Sequence, residues 1–369
     1  MTLSQVHVSQ VHVRKKELTH AQLVEVPSGE LAEGSIRLKV ESFSVTANNI
    51  TYAVVGDGFG YWNFFPPKTD EEGLGIVPMW GHAVVTESKC AEIAVGERVY
   101  GYLPMGTQLD VVPGNISAAS FSDMTDYRQP MSPVYNSYNR LAADPEHDPA
   151  RENERMIYGP LFKTGFVIDY FMRSEDWFGA ETVILTSASS KTAMGLASVA
   201  KQNSPGIKRI GLTSPGNVDF TESTGLYDEV HTYDAIGTLP IGPCVTVDFA
   251  GNADVLGKLH HHFTDNLKYS CLVGATHIEA RSSMGGDAGA LPGPKPTLFF
   301  APDHFVSFFK EHGPAKGGQM IAKTWHAFLD AVDGTVAIEV HEGLDAARAT
   351  YLEMISGKID PAKGIVVKP

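Results

Sequence analysis

The chain has 369 residues, of which 43% are hydrophobic and 20% charged, and a formal net charge of −14. That length exceeds one ordinary core and predicts two domains, and the composition belongs to globular rather than disordered or membrane proteins. The acidic balance opposes a polyanionic backbone, so nucleic acid is excluded as the expected partner.

The first residues alternate polar and apolar types and carry a repeated pentamer, Ser4 to Val8 and Ser9 to Val13. A period of two predicts an edge strand or hairpin, with His7 and His12 on opposite faces and therefore structural rather than metal-binding. No apolar stretch suits a signal peptide or a membrane span, and Cys90, Cys244 and Cys271 lie far apart, so a reducing, cytoplasmic location is expected. From Ile36 to Pro113 short alternating strands separated by Gly and Pro predict a mostly antiparallel β domain. Within it, Gly58 to Pro67 concentrates aromatic residues in a loop that either lines a ligand pocket or packs locally.

The stretch AADPEHDPARENER, ending at Arg155, is charged and lacks aliphatic periodicity, so it is expected to be an exposed connector at a domain boundary. Beyond it, apolar runs of strand length (TVILTS, KRIGLTS, CVTVDFA, YSCLVGA, PTLFFAP) alternate with helix-length segments. That pattern predicts a doubly wound α/β fold with a parallel sheet covered on both faces. The run His260 to His262 is expected to decorate an exposed helix end, since consecutive residues point in different directions. Ser282 to Pro296, rich in Gly and Pro, is expected to be a surface loop that can serve as a lid. The tail predicts a strand, a helix from about Leu344 and a final strand that rejoins the β domain. The expected domains are thus residues 1–155, completed by 331–369, and residues 156–330.

The segment from Thr182 to Ala197 reads as a buried strand, a turn of small residues and a helix start. Unpaired backbone N–H groups and the positive end of the helix dipole attract an anion there. Ser189, Ser190 and Thr192 add hydroxyl donors and Lys191 a charge, although Ser and Thr also cap helices with no ligand at all. A Walker P-loop is excluded because its two glycines fall on Leu185 and Ser190. The second apolar run ends in Thr213-Ser214-Pro215-Gly216-Asn217, with no acid to receive a ribose 2′-hydroxyl. If a dinucleotide binds, this favours NADP(H) over NAD, with Ser214 and Asn217 as donors; a plain polar turn is the alternative. Gly251-Asn252 and Gly274-Ala275-Thr276 follow later strands, where open α/β sheets place their ligands, and His277 stands beside them.

These segments, in this order, resemble the medium-chain dehydrogenase/reductase superfamily, particularly its zinc-free quinone oxidoreductase and enoyl reductase branch. Gly81-His82 with Val84-Val85 resembles the family's GHE-x-x-G strand, and Val95 to Gly101 its G-D-R-V-x-G turn. Val247-Asp248-Phe249-Ala250-Gly251 resembles the end of the fourth Rossmann strand, and ISGKIDPAKGIVV the closing G-K-x-x-G-K-x-V-V segment. The resemblance implies a Rossmann-type domain beside a GroES-like domain, bound NADP(H), a small-molecule substrate and a homodimer. It implies a catalytic role for Tyr52, because Thr51 to Gly56 resembles the E-T-Y-x-x-x-G segment of quinone oxidoreductases. It implies a place beside the nicotinamide for Thr164, whose bland reading is a helix N-cap. The family's G-A-S-G-G-V-G turn is Ser187 to Ala193 here, with every glycine replaced. The family's catalytic zinc needs a Cys near Ser44 to Asn48, where none occurs, so His82 stands alone and no metal is expected.

The expected activity is therefore zinc-independent, NADP(H)-dependent reduction of a small carbonyl or a conjugated C=C. The alternatives are a non-redox lyase or hydrolase on the same scaffold, and a nucleotide-binding sensor without turnover.

Overall fold

The computed structural model describes residues 7–249, 251–273, 291–357 and 360–369. The chain forms two units, Met1–Ile157 with Ile338–Pro369, and Tyr158–Ala337.

The first unit contains β1 (His7–Arg14), β2 (Glu17–Pro27), β3 (Ile36–Val45), α1 (Ala47–Val54), β4 (Leu74–Gly75), β5 (Pro78–Ser88), β6 (Arg98–Pro104), β7 (Gln108–Val111), β8 (Pro113–Gly114), β9 (Ser120–Asp123), β10 (Ser137–Arg140) and the first turns of α2 (Glu152–Ser174). Residues 7–13 of the repeated pentamers lie in β1, which forms a hairpin with β2 and pairs on its other edge with β4. Ile36, Leu38 and Val40 are buried while Lys39 between them is exposed, the period-two signature of a half-covered antiparallel strand. β3 pairs antiparallel with β5, and β5 with β6, at the centre of a nine-stranded sheet.

The aromatic loop packs locally. Tyr61, Trp62, Phe64 and Phe65 are at most 6% exposed, and Trp62 is wedged so tightly that a Cβ on Gly56 or Gly75 would lie 2.2 or 2.3 Å from its ring. The stretch before α2 is not the exposed connector its composition suggests. Asp144, Glu146 and Arg155 are buried, and Arg155 Nη2 forms an ion pair with Asp144 Oδ2. Charge patterning misleads here because the charges neutralise one another inside the fold.

The second unit contains the rest of α2, then β11 (Thr182–Leu185), α3 (Lys191–Asn203), β12 (Lys208–Thr213), α4 (Val218–Ser223), β13 (Glu229–Thr232), β14 (Cys244–Asp248), α5 (Ala253–Phe263), β15 (Leu267–Leu272), β16 (Thr297–Leu298), α6 (Ala301–His312) and α7 (Pro314–Ala331). Its six strands are parallel and ordered β13-β12-β11-β14-β15-β16. That is the 3-2-1-4-5-6 order of a doubly wound Rossmann sheet, with its switch point between β11 and β14. Gly165 on α2 and Gly195 on α3 let the two helices touch, since a Cβ on Gly165 would lie 2.4 Å from Leu196 N. Of the three consecutive histidines only His261 is exposed; His260 is fully buried, its Nε2 2.9 Å from Ser270 Oγ and its Nδ1 2.8 Å from Pro292 O.

β17 (Ala337–Glu342), α8 (Leu344–Ile355) and β18 (Lys363–Lys368) return the chain, and β18 pairs antiparallel with β3 in the first unit's sheet. Among the described residues no helix is long and apolar enough to cross a membrane.

Candidate functional site

The switch point gathers most of the residues singled out for an anion. β11 ends at Leu185, and the turn Thr186–Ser190 leads into α3, whose N-cap Ser190 accepts a hydrogen bond from Ala193 N at 3.3 Å. Ser187 adopts φ +48°, a left-handed conformation that costs a residue with a Cβ ~1–2 kcal/mol. Neighbours hold it there: Ser187 N–H donates to Tyr233 Oη at 3.0 Å, and Tyr227 Oη–H donates to Ala188 O at 2.7 Å. Gly211 on β12 makes room for this turn, since a Cβ there would lie 2.9 Å from both Ala188 Cβ and the Tyr227 ring. The turn from Ser187 to Ala193 contains no glycine, and the side chains of Tyr227 and Tyr233 hold its backbone bend.

What remains on the open side are donors. Ser189 Oγ accepts from Thr213 Oγ1 at 3.3 Å and from Asn217 Nδ2 at 3.2 Å, which occupies both lone pairs and turns its own proton elsewhere. Among the described residues the backbone N–H groups of Ser189 and Thr192 donate to no partner. They lie at the start of a 13-residue helix, whose dipole adds positive potential. Lys191 and Thr192, on the first turn, are half-buried. Below the turn, Thr186 Oγ1 donates to the buried Asp248 Oδ1 at 2.5 Å and accepts from Phe249 N at 2.9 Å, which ties the end of β11 to the end of β14 across the switch point.

The other expected residues divide. Asn217 serves Ser189 rather than presenting its amide outward, and Ser214 is exposed at the start of the short turn Pro215–Asn217. Gly251 follows β14 with φ +67°, and Asn252 caps α5 by accepting from Asp254 N and Val255 N. Gly274, Ala275, Thr276 and His277 lie outside the described residues, as does 282–290 of the expected lid. Sequence reasoning missed Tyr227 and Tyr233, because nothing in a lone tyrosine after a polar turn shows which carbonyl or N–H it will reach.

In the first unit Tyr52 lies on α1, 6% exposed, with its ring 4.6 Å from Tyr61 and 5.5 Å from Tyr102. Its oxygen accepts from Trp80 Nε1 at 3.1 Å, so its own proton is available to a further acceptor. Burial holds the phenol well above its usual pKa. His82, on β5, is fully buried, and burial followed by the nearby Arg155 charge lowers its pKa to about 3. Thr164 belongs to the second unit and is not an N-cap: it sits inside α2 and donates to Pro160 O at 3.2 Å. Pro160, lacking an N–H, leaves the Met156 carbonyl without its helical donor, and Ser44 Oγ supplies one at 2.5 Å. Among the described residues no group of three or more His, Cys, Asp or Glu is arranged to hold a metal ion.

Residues 43–360 match the family described as "Protein of unknown function (DUF2855)". The chain belongs to this family. No curated protein matches it. Among solved structures it is similar to CurA from Vibrio vulnificus in complex with NADPH, at 14% identity over 98% of both chains and a TM-score of 0.59. It is also similar to a mycobacterial protein complexed with NADPH, at 14% identity, 98% and 100% coverage of the two chains and a TM-score of 0.57. A quinone oxidoreductase from Coxiella burnetii aligns at 13% identity over 99% of this chain and 100% of that one, with a TM-score of 0.53. At such identities the likeness carries the fold: a Rossmann-type unit and a GroES-like, mostly antiparallel unit.

Proposed function

We propose that this member of the DUF2855 family is a zinc-independent, NADP(H)-dependent reductase of a small carbonyl or conjugated C=C compound, related to the quinone oxidoreductase-like branch and carrying an altered phosphate turn. The observation that carries the reading is the set of donors that, among the described residues, have no acceptor at the switch point: Ser189 N–H and O–H and Thr192 N–H, at the start of α3. That set fits a diphosphate, and Lys191 adds charge. The absence of an acid at the end of β12 fits a 2′-phosphate better than a free ribose hydroxyl, with Ser214 exposed beside it. Gly251, and beyond the described residues Gly274 and Thr276, are assigned to the same cofactor. Two of the three solved neighbours named above were solved with NADPH.

When bound, the cofactor supplies the hydride. The chain's own work is binding, orientation and hydrogen bonding. Tyr52, kept protonated by burial and accepting from Trp80, is a donor for charge that develops on a substrate oxygen. Thr164 is assigned to the nicotinamide side of the reaction. The test is a nicotinamide fluorescence titration of the purified protein with NADPH, repeated with Lys191→Ala. Binding weakened ~10-fold by the substitution, with NADPH consumed on enones, quinones or aldehydes, is expected. Binding without consumption on any of them identifies a sensor, and no binding refutes the reading.

A further inference from the structure

His82, Tyr100 and Asn139 form one cross-strand row on β5, β6 and β10. Over it lies Arg155 of α2, its guanidinium carbon 4.2 Å from the Tyr100 ring centre, while the His82 ring stands 5.2 Å from the same ring. Arg155 is 2% exposed and His82 0%. Arg155 spends Nη2 on Asp144, yet among the described residues its Nε and Nη1 have no partner, nor has either nitrogen of His82.

The same unit shows how a buried arginine is satisfied when its role is structural. Arg128 donates from Nε to Asn136, from Nη1 to Asp123 and Tyr138, and from Nη2 to the Tyr135 carbonyl, all between 2.8 and 3.0 Å. Buried polar atoms are almost always paired, so four orphans on two touching neighbours of one ring mark a place built for something that accepts hydrogen bonds. The orphans are mainly donors: Arg155 contributes N–H groups at two nitrogens, and a neutral His82 contributes one donor and one acceptor. Charge selects among acceptors. Asp144 and Glu146 act on Arg155, and Glu41 and Glu152 pair with nearby Arg98, so carboxylates already surround both guanidinium groups and repel an added anion.

We propose that Arg155 and His82 form a buried site for a small uncharged oxygen acceptor, of the carbonyl or amide class. It rests on the reductase reading in one respect, that in turnover such a ligand is the substrate's carbonyl group. The site is tested on the full chain by NMR of ¹⁵N-labelled histidine and arginine side chains, with acetamide as the probe and acetate as the charged control. Acetamide is expected to shift the His82 ring nitrogens and Arg155 Nε saturably, at roughly millimolar concentration, and acetate to shift neither.

Arg155→Met is expected to weaken acetamide binding at least tenfold, read at His82. Because that change strands the Asp144 carboxylate, His82→Phe is the second variant, read at Arg155 Nε, with the same loss expected. Acetamide that leaves both residues unshifted overturns the proposal, as does a response in His82→Phe equal to that of the parent chain. Acetate binding tighter than acetamide overturns the assignment to an uncharged ligand. An NADPH titration of the unaltered chain reports on the reductase reading separately, and its failure beside intact acetamide binding leaves the site standing without a part in turnover.

Discussion

Replacing Ser189 with Ala removes one oxygen from the centre of the phosphate turn, and its consequences separate into two measurements. The oxygen accepts from Thr213, which is 1% exposed, and from the half-buried Asn217. Stranding the Thr213 hydroxyl costs ~1–3 kcal/mol, while Asn217 recovers part of its loss from water, so the total is about 2 kcal/mol. In a unit of this size that lowers the melting temperature by ~4–8 °C. The same change deletes a hydroxyl proton facing the crevice; a hydrogen bond to a charged phosphate is worth ~1.5–3 kcal/mol, or ~10- to 150-fold in NADPH affinity. Circular dichroism melting and nicotinamide fluorescence read the two effects on one sample. Asn217→Ala is the control, since it frees a lone pair on Ser189 without removing the proton, and its affinity should stay within a few-fold of the parent. A Ser189→Ala protein with the expected melting shift and unchanged NADPH affinity would show that the hydroxyl does not face the phosphate.

Ser187→Gly should stabilise the protein by ~0.5–1 kcal/mol in urea unfolding, because relief of the left-handed strain exceeds the added chain entropy; a loss of stability would mean the conformation is not strained. Among the described residues the buried Tyr102 Oη has no partner, so Tyr102→Phe should raise stability by ~1 kcal/mol, and a fall would reveal a partner for that hydroxyl. Acid should destabilise the protein through His82. Its folded pKa, lowered by burial and then by Arg155 to about 3, lies below the unfolded value of 6.5, so the unfolded chain takes the proton first. The contribution is complete well above pH 6.5 and is lost as pH falls toward 3, by about 2 kcal/mol between pH 6.5 and 4.5. His12, His260 and His304 shift in the same direction, so the readout is the difference between parent and His82→Gln; parallel curves would contradict the assignment.

The parallel sheet was legible because strands buried on both faces leave unbroken apolar runs, and five such runs separated by helix-length segments admit few topologies. The tail was legible for a similar reason, with β17, α8 and β18 each keeping its own period. The stretch before α2 was not, because charge density predicts exposure only when the charges lack internal partners, and the Asp144–Arg155 pair is closed by chain geometry that no local pattern encodes. The aromatic loop was ambiguous for want of Gly56 and Gly75, whose role as the two sides of a slot for Trp62 exists only in three dimensions. At the phosphate turn the residue types were readable, but not their division of labour. Asn217 supports Ser189 instead of reaching outward, and Tyr227 and Tyr233 hold the backbone of a turn that contains no glycine.

The way the first unit is assembled has a consequence for synthesis of the chain. Its central strand β3 takes β18 as a neighbour, and Val366 and Val367 of β18 are fully buried. Those residues leave the ribosome only after all of Tyr158–Ala337 has been made. The second unit therefore has every residue it needs to fold while the earlier-made unit still waits with the Phe43–Val45 end of β3 unpaired on the side where β7 covers only Ile36–Lys39, the reverse of the usual order in which N-terminal domains finish first. During that interval the exposed edge of β3 is the part of the nascent protein most in need of protection from pairing with another chain.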